Sequence, residues 1–384
     1  MDRSYESEEH ALFRRSLRTF VEREIAPHHE RWEKQGKVDR EVWLKAGAAG
    51  LLCTAIPEEY GGGGGDFVTS AILTEELARG VFSGPGFRLH SDIAAFYILH
   101  FGTEAQKQEW LPKMASGEVI AGLAMTEPGA GSDLQGMRTT AIRDGDSYRI
   151  NGQKTFITNG QLGDLFILAV KTDPTQGARG VSLLLVEADR PGFSRGRNLE
   201  KLGQKAQDTS ELFFQDCLVP VGNLLGEEGK GFRYLMAELP QERLLAGINA
   251  LSTAEAAYEW TVEHTNGRKV FGARLADLQT VRFKLAEMKT ELTVARAFLD
   301  RSIEQHLEGK LDVPGAAMAK WWLSELEGRI VDQCLQLHGG YGYMWEFPIA
   351  RAYADARVHR IYAGSNEIMK ELIARSIVGP APKG

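Results

Sequence analysis

The spacing of apolar positions changes period twice along the chain. Up to about residue 120 it is helical: Leu12, Phe13, Leu17, Phe20, Val21 and Ile25 fall three and four apart, and Pro27 closes that segment. Further helical runs cover Val42 to Leu52 and AILTEELARG. Beyond residue 120 the period shortens to two. IAGLAM, TTAIRDGDSYRINGQKTFITNG, FILAVKTD, GVSLLLVEAD and ELFFQDCLVP read as strands, with Asp144-Gly145, Asn151-Gly152 and Asn159-Gly160 as hairpin turns. Turns this close together leave no room for crossover helices, so a largely antiparallel sheet is expected. From about residue 230 the helical period returns, through AAYEWTVEHT, LQTVRFKLAEMKTELTVARAFLDRSIEQHL and AAMAKWWLSELEGRIVDQCLQLHGG. The order predicts an α+β chain, mainly α. An N-terminal helical domain (1–121) and a C-terminal helical domain (230–384) flank, or combine around, a central antiparallel β domain (122–229).

One polar position breaks the pattern. Glu242 lies in MAELPQERLLAGINAL, where Leu239, Leu245 and Ala246 are its neighbours at helical spacing and Asn249 extends the same face. Most glutamates are solvated; one on an apolar stripe either reaches water or is held in a dry pocket for a purpose, because burying an unpaired charge is costly. Pro240 lacks an amide hydrogen, which places a helix start or kink beside Gln241, Glu242 and Arg243.

Composition narrows the class without naming a chemistry. The 384 residues carry a net charge of −7, with 43% hydrophobic and 25% charged residues, as in globular chains. No basic run offers a nucleic-acid surface, and no apolar stretch approaches the roughly 18 residues of a membrane span. The opening segment MDRSYESEEHALFRRSLRTF has no secretory or transit pattern. Cys53, Cys217 and Cys334 are odd in number and far apart, which fits a reducing cytoplasm, or equally a processed organellar chain, and excludes a zinc pattern or a disulfide framework.

Two glycine-rich stretches invite a ligand. Gly61 to Gly65 lack the Lys-Ser/Thr that completes a P-loop, so GGGGGDF reads as a flexible turn. AMTEPGAGSDLQG (124–136) crowds small residues after a strand, and its exposed amides and hydroxyls suit a phosphate or a flavin edge. It is not a dinucleotide fingerprint: Leu134 occupies the third glycine position and no βαβ unit follows. An ordinary surface loop is the other reading of these residues.

AMTEPGAGSDLQG, QKTFITNG, NGRKVFG with LQTVRFKLAEMK, and QLHGGYGYMWEFPIARAYADARVHRIYAGSNEIMKELIAR, in that order, resemble the acyl-CoA dehydrogenase family, with ELPQERLLA most like its long-chain branch. The resemblance runs to about residue 377. It implies an N-terminal helical domain, a β domain and a C-terminal four-helix bundle assembled as a homotetramer around FAD. Flavin contacts carried over by it are Leu123, Met125, Thr126, Gly131 and Ser132, with Phe156, Ile157 and Thr158 against the ring, where the family often has tryptophan in place of Phe156. Arg268 and Gln279 match contacts made to a neighbouring subunit's cofactor. Gln336, Leu337, His338, Gly339 and Gly340 would bring backbone close to it, His338 having no catalytic role, and Ser365, Asn366 and Glu367 form the last turn. Ser132, Ala178, Arg179, Arg233, Pro240, Gln241, Arg243, Ala363 and Gly364 fall at substrate positions.

The chain departs from the family at Ala363. Most members read YEGT there and use that glutamate as base; YAGS has none. The long-chain and isovaleryl branches place the carboxylate at the position of Glu242. The resemblance therefore implies that Glu242 takes the α-proton of an acyl-CoA of medium to long chain, with Ala363 offering its amide to the thioester carbonyl. The β-hydride goes to the flavin, the product is a trans-2-enoyl-CoA in fatty-acid β-oxidation, and an electron-transferring flavoprotein takes the electrons. Burial by the acyl chain would raise the Glu242 pKa and a helix start at Pro240 would lower it, leaving the net direction open. Alternatives on the same scaffold are an isovaleryl-type dehydrogenase and an oxygen-using acyl-CoA oxidase.

Overall fold

The computed structural model describes residues 3–379. The N-terminal region holds α1 (Glu8–Phe20), α2 (Ala26–Gln35), α3 (Glu41–Ala48), α4 (Phe67–Arg79), α5 (Ala95–Phe101) and α6 (Glu104–Ala115). Ser7 caps α1, its hydroxyl accepting from the amide of His10. Pro27 does not end this segment. A single π-helical stretch, Val21–Ile25, carries the chain from α1 into α2, and Pro27 falls in the first turn of α2, where a missing amide hydrogen costs no intrahelical bond. The glycine run is likewise no flexible turn: the amides of Gly63, Gly64 and Gly65 donate to Cys53, Ile56 and Thr54. A Cβ at Gly62 would collide with the Ile56 carbonyl. Glycine is needed there for close packing of backbone on backbone.

The middle region folds as β1 (Ala121–Ala124), β2 (Thr140–Asp144), β3 (Ser147–Thr158), β4 (Leu165–Lys171), β5 (Val181–Glu187), β6 (Phe193–Asn198), β7 (Thr209–Pro220) and β8 (Leu224–Leu225). The strand order is β6-β7-β3-β2-β4-β5-β8, with β1 added to β4. Pairing is antiparallel except that β4 runs parallel to β1 and β2. Of the three hairpin signals only Asp144-Gly145 turns a hairpin, between β2 and β3. Asn151-Gly152 lies inside β3 at a shift of register against β7, with Asn151 exchanging hydrogen bonds with Asp216; the extra residue is absorbed as a bulge. Asn159-Gly160 leaves β3 for β4, which pairs with β2.

From residue 231 the chain is helical again: α7 (Gly231–Gly267), a hairpin of β9 (Lys269–Val270) and β10 (Ala273–Arg274), then α8 (Gln279–Leu307), α9 (Val313–His338), α10 (Pro348–His359) and α11 (Asn366–Val378). The two helical regions combine. Phe67 and Ala71 of α4 share one core with Leu244, Ile248 and Leu251 of α7 and Leu323 and Ile330 of α9. The sheet packs one face on α5 and α6, through Leu165, Ile167 and Leu183 against Ile98 and Leu111.

Candidate active site

Pro240 neither starts nor ends a helix. It lies inside the 37-residue α7, whose first turn is at Gly231, so Pro240 puts no helix start beside Glu242. Tertiary packing of α7 against α4 and α9 outweighs the one intrahelical bond a proline removes. Glu242 Oε2 is sealed from solvent and has no hydrogen-bond partner. Burial pushes the carboxyl pKa up, and the positive charges of Arg88, Arg243 and Lys320 only partly oppose it. With no helix start at Pro240, burial outweighs these charges and the shift is upward.

Ala363 stands in the left-handed region at φ +53°, followed by Gly364 at φ +85°. A non-glycine residue there is strained by about 1–3 kcal/mol, and such strain clusters at functional sites. The Ala363 amide donates to no backbone or side-chain acceptor among the described residues. The turn is held from α9: Lys320 Nζ donates to Gly364 O at 2.7 Å and to Asn366 Oδ1 at 2.9 Å. Burial holds the Lys320 pKa down, at about 8. Asn366, carried over as a cofactor contact, has its side chain committed inside the protein, its Nδ2 donating to Ser324 Oγ at 3.1 Å and Glu325 Oε1 at 2.9 Å. Its amide braces the turn instead. Ser365 flanks it half-buried and Glu367 is exposed in the first turn of α11.

Glu242 and Ala363 are about 120 positions apart in sequence, and two cations tie them together. Arg88 Nη2 donates to the Tyr362 hydroxyl at 3.2 Å, and Lys320 holds Gly364; both charges act on Glu242. Arg88 Nη1 and the hydroxyl of Tyr97 are also sealed and without partners. No local signal in the sequence marks Arg88, Tyr97, Lys320 and Tyr362: each becomes a site residue only when the helical segment 87–101, α9 and the turn after α10 converge on α7. Gln241, read as a substrate contact, spends its amide on the carbonyl of Asp92 at 2.9 Å. Arg243 is buried with Nε unpartnered.

In the β region, Glu127 organises the loop after β1. It pairs with the fully buried Lys154 at 2.8 Å and accepts from the amides of Arg138 and Thr139. Lys154 Nζ also donates to Met125 O, and the amide of Thr155 to Thr126 O. The loop tip, with Gly131 and Ser132, is left exposed, and a Cβ at Gly129 or Gly131 would meet only open space. Phe156 sits at a second register shift of β3 with φ +60° and is 67% exposed. A strained aromatic facing solvent is an unfilled apolar platform. Leu123 and Ile157 point into the core at 7% and 2% exposure, so only their backbone could serve a ligand, while Thr158 is half-buried.

A separate open groove of about 580 Å³ gathers Arg268 with Gln336, Leu337, His338, Gly339 and Gly340. All its lining residues come from the C-terminal region, so Phe156 and Ser132 lie outside it. The Arg268 guanidinium lies 5.5 Å from the Tyr341 ring centroid, and His338 is fixed by donating from Nδ1 to Cys334 O at 2.8 Å. Gln279 opens α8, exposed and outside the groove lining. Ala178 and Arg179 lie in the 174–180 segment, which contacts α7, and Arg233 is exposed in the first turn of that helix.

Models of the acyl-CoA dehydrogenase N-terminal, middle and C-terminal domains match residues 7–118, 122–217 and 229–378. The chain belongs to the acyl-CoA dehydrogenase family. Members are FAD-dependent oxidoreductases acting on CH–CH groups. The chain is 54% identical to the long-chain specific acyl-CoA dehydrogenase of Mus musculus mitochondria, over 97% of its own length and 87% of the relative's. It is 38% identical to an acyl-CoA dehydrogenase of Bacillus subtilis, over 97% and 99%. The crystal structure of an acyl-CoA dehydrogenase from Geobacillus kaustophilus superposes with a TM-score of 0.97 at 53% identity, covering 98% of this chain and all of that one. No helix among the described residues is long and apolar enough to cross a membrane.

Proposed function

We propose that this acyl-CoA dehydrogenase desaturates medium- to long-chain acyl-CoA to the trans-2-enoyl-CoA, with Glu242 as the α-proton acceptor. The observation carrying this is the pairing of two unsatisfied groups: a sealed carboxylate oxygen on Glu242 and an unpartnered amide on Ala363, joined through Arg88 and Lys320. A thioester placed between them has its carbonyl oxygen polarised by the Ala363 N–H, as in an oxyanion hole. The α-proton then passes to Glu242, whose raised pKa brings it closer to that of the polarised α-carbon. No side chain is needed at position 363, because the amide does the work there and the base comes from α7.

The residues fit FAD: an exposed strained Phe156, a loop whose glycines leave open space, and a groove with Arg268 at its edge. Phe156, Thr158 and Ser132 would hold it from one chain, and the separate groove of the 336–340 backbone, with the Arg268 fork suited to a pyrophosphate, would meet the cofactor of a neighbouring copy. When bound, FAD supplies the acceptor for the β-hydrogen and its electron pair. An electron-transferring flavoprotein is the acceptor we assign downstream, on family resemblance. Assembly as a homotetramer is assigned on family resemblance, and the fully exposed Phe271 at the β9–β10 tip and Tyr343 at 82% exposure are apolar surface that assembly could cover. Three free, buried cysteines fit a cytoplasmic setting.

Glu242→Gln tests the assignment. It keeps size and shape and removes the base, so dye-linked dehydrogenation should fall by about 10²–10⁴-fold with flavin content unchanged. Near-full activity in that variant would sink the assignment. Ala363→Glu in the same background asks whether a second anchor restores turnover.

A further inference from the structure

On α9, Lys320, Ser324 and Glu327 stand four and three residues apart and so share one face. All three are at most 1% exposed. The first two hold Gly364 and Asn366 directly. Glu327 works differently. Its Oε2 accepts a hydrogen bond from Nδ1 of His359 at 2.6 Å, with His359 at 2% exposure. The His359 ring stacks on the Tyr362 ring, centroids 5.4 Å apart and planes 21° from parallel. Tyr362 is thus held on its ring face by His359 and at its hydroxyl by Arg88. The next residue is Ala363.

A buried carboxylate–imidazole pair is a poor source of stability, since desolvation takes back most of what the pairing supplies. Its position suggests another use. A non-glycine residue at positive φ persists only where its surroundings over-determine it. Here Gly364 O and Asn366 are tied to Lys320, and Tyr362 is clamped between His359 and Arg88, so the strained residue is fixed from both sides. We propose that Glu327 and His359 are positioning residues: they hold Tyr362 so that the Ala363 amide is aimed at the substrate's carbonyl oxygen. This rests on the carbonyl-binding role given to Ala363 above. Neither residue touches substrate; each acts through Tyr362.

The readout is the share of binding that the carbonyl supplies. The flavin-loaded enzyme is titrated calorimetrically with trans-2-octenoyl-CoA, a thioester that is not oxidised, and with the S-(trans-2-octenyl) thioether, which lacks the carbonyl oxygen. The unaltered enzyme should bind the thioester more tightly by about tenfold or more, as expected for a carbonyl acceptor met by a fixed donor. Glu327→Ala and His359→Phe should bring the two affinities to within about threefold of each other while leaving thioether affinity unchanged, because a donor misplaced by roughly 1 Å loses its advantage. Glu327→Gln, which still offers an oxygen to the His359 N–H, should keep the preference.

The proposal is overturned if Glu327→Ala and His359→Phe retain the full preference, or if both ligands weaken equally, which marks a merely structural pair. If neither variant folds, His359→Gln decides: it can donate to Glu327 but cannot stack on Tyr362, so an undiminished preference overturns the idea and a reduced one supports it. No preference in the unaltered enzyme refutes the carbonyl role of Ala363 itself, a distinct failure that takes this proposal with it.

Discussion

His90 makes stability depend on pH in a way that can be calculated. Its ring is fully buried. The Ala121 amide donates to Nδ1 at 3.0 Å, and Nε2 donates to the Met114 carbonyl at 3.0 Å, so the neutral tautomer satisfies both neighbours. Protonating Nδ1 breaks the bond that pins β1 to this segment. Burial accordingly lowers the pKa from 6.5 to about 4, a shift the hydrogen bond to Met114 only partly offsets. The folded pKa lies below the unfolded one, so the unfolded chain binds more protons as pH falls. The stability is fully present above about pH 6.5 and is lost progressively toward pH 4. With those two pKa values the loss between pH 7 and pH 5 comes to about 2 kcal/mol for this site. Urea unfolding at fixed protein concentration, at pH 7 and pH 5, should show His90→Gln destabilised at pH 7 yet losing about 2 kcal/mol less than the parent on acidification. Equal losses in the two proteins, or a His90 resonance titrating near 6.5, would refute the reasoning. His29, also buried and lowered to about 4, adds to the acid loss in both proteins and cancels in the comparison.

Two further outcomes follow from the site. Lys320→Met leaves Gly364 O without its side-chain donor and Asn366 Oδ1 with Ser324 alone; it should cost about 2–4 kcal/mol in denaturant unfolding and speed amide exchange across 362–366. A loss below about 0.5 kcal/mol would show the brace to be idle. Arg88→Met removes the first of the positive charges opposing the upward shift of Glu242. The acid limb of the kcat/KM profile should then move to higher pH, with activity lost on the acid side returning as pH rises; a loss equal at every pH would contradict it.

The periodicity of the sequence determined the order helices, strands, helices, because a switch between a repeat of 3.6 and a repeat of two is written in consecutive residues. The same local logic failed where a residue's role depends on what packs on it. Pro27 and Pro240 read as boundaries, yet one sits harmlessly in a first turn and the other lies inside α7, held by long contacts with α4 and α9. Asn151-Gly152 read as a turn and instead runs on within β3 opposite a bulge in β7, since the partner strand decides register. The family resemblance paired Glu242 with Ala363 as a proposal, one supplying the carboxylate the other lacks. What the sequence could not contain is the group around them. Arg88, Lys320, Tyr362, His359 and Glu327 come from distant segments and carry no motif. Their burial, their missing partners and the strained φ of Ala363 are properties of three-dimensional contact, and only the folded chain brings the charges close enough to raise or lower one another's pKa.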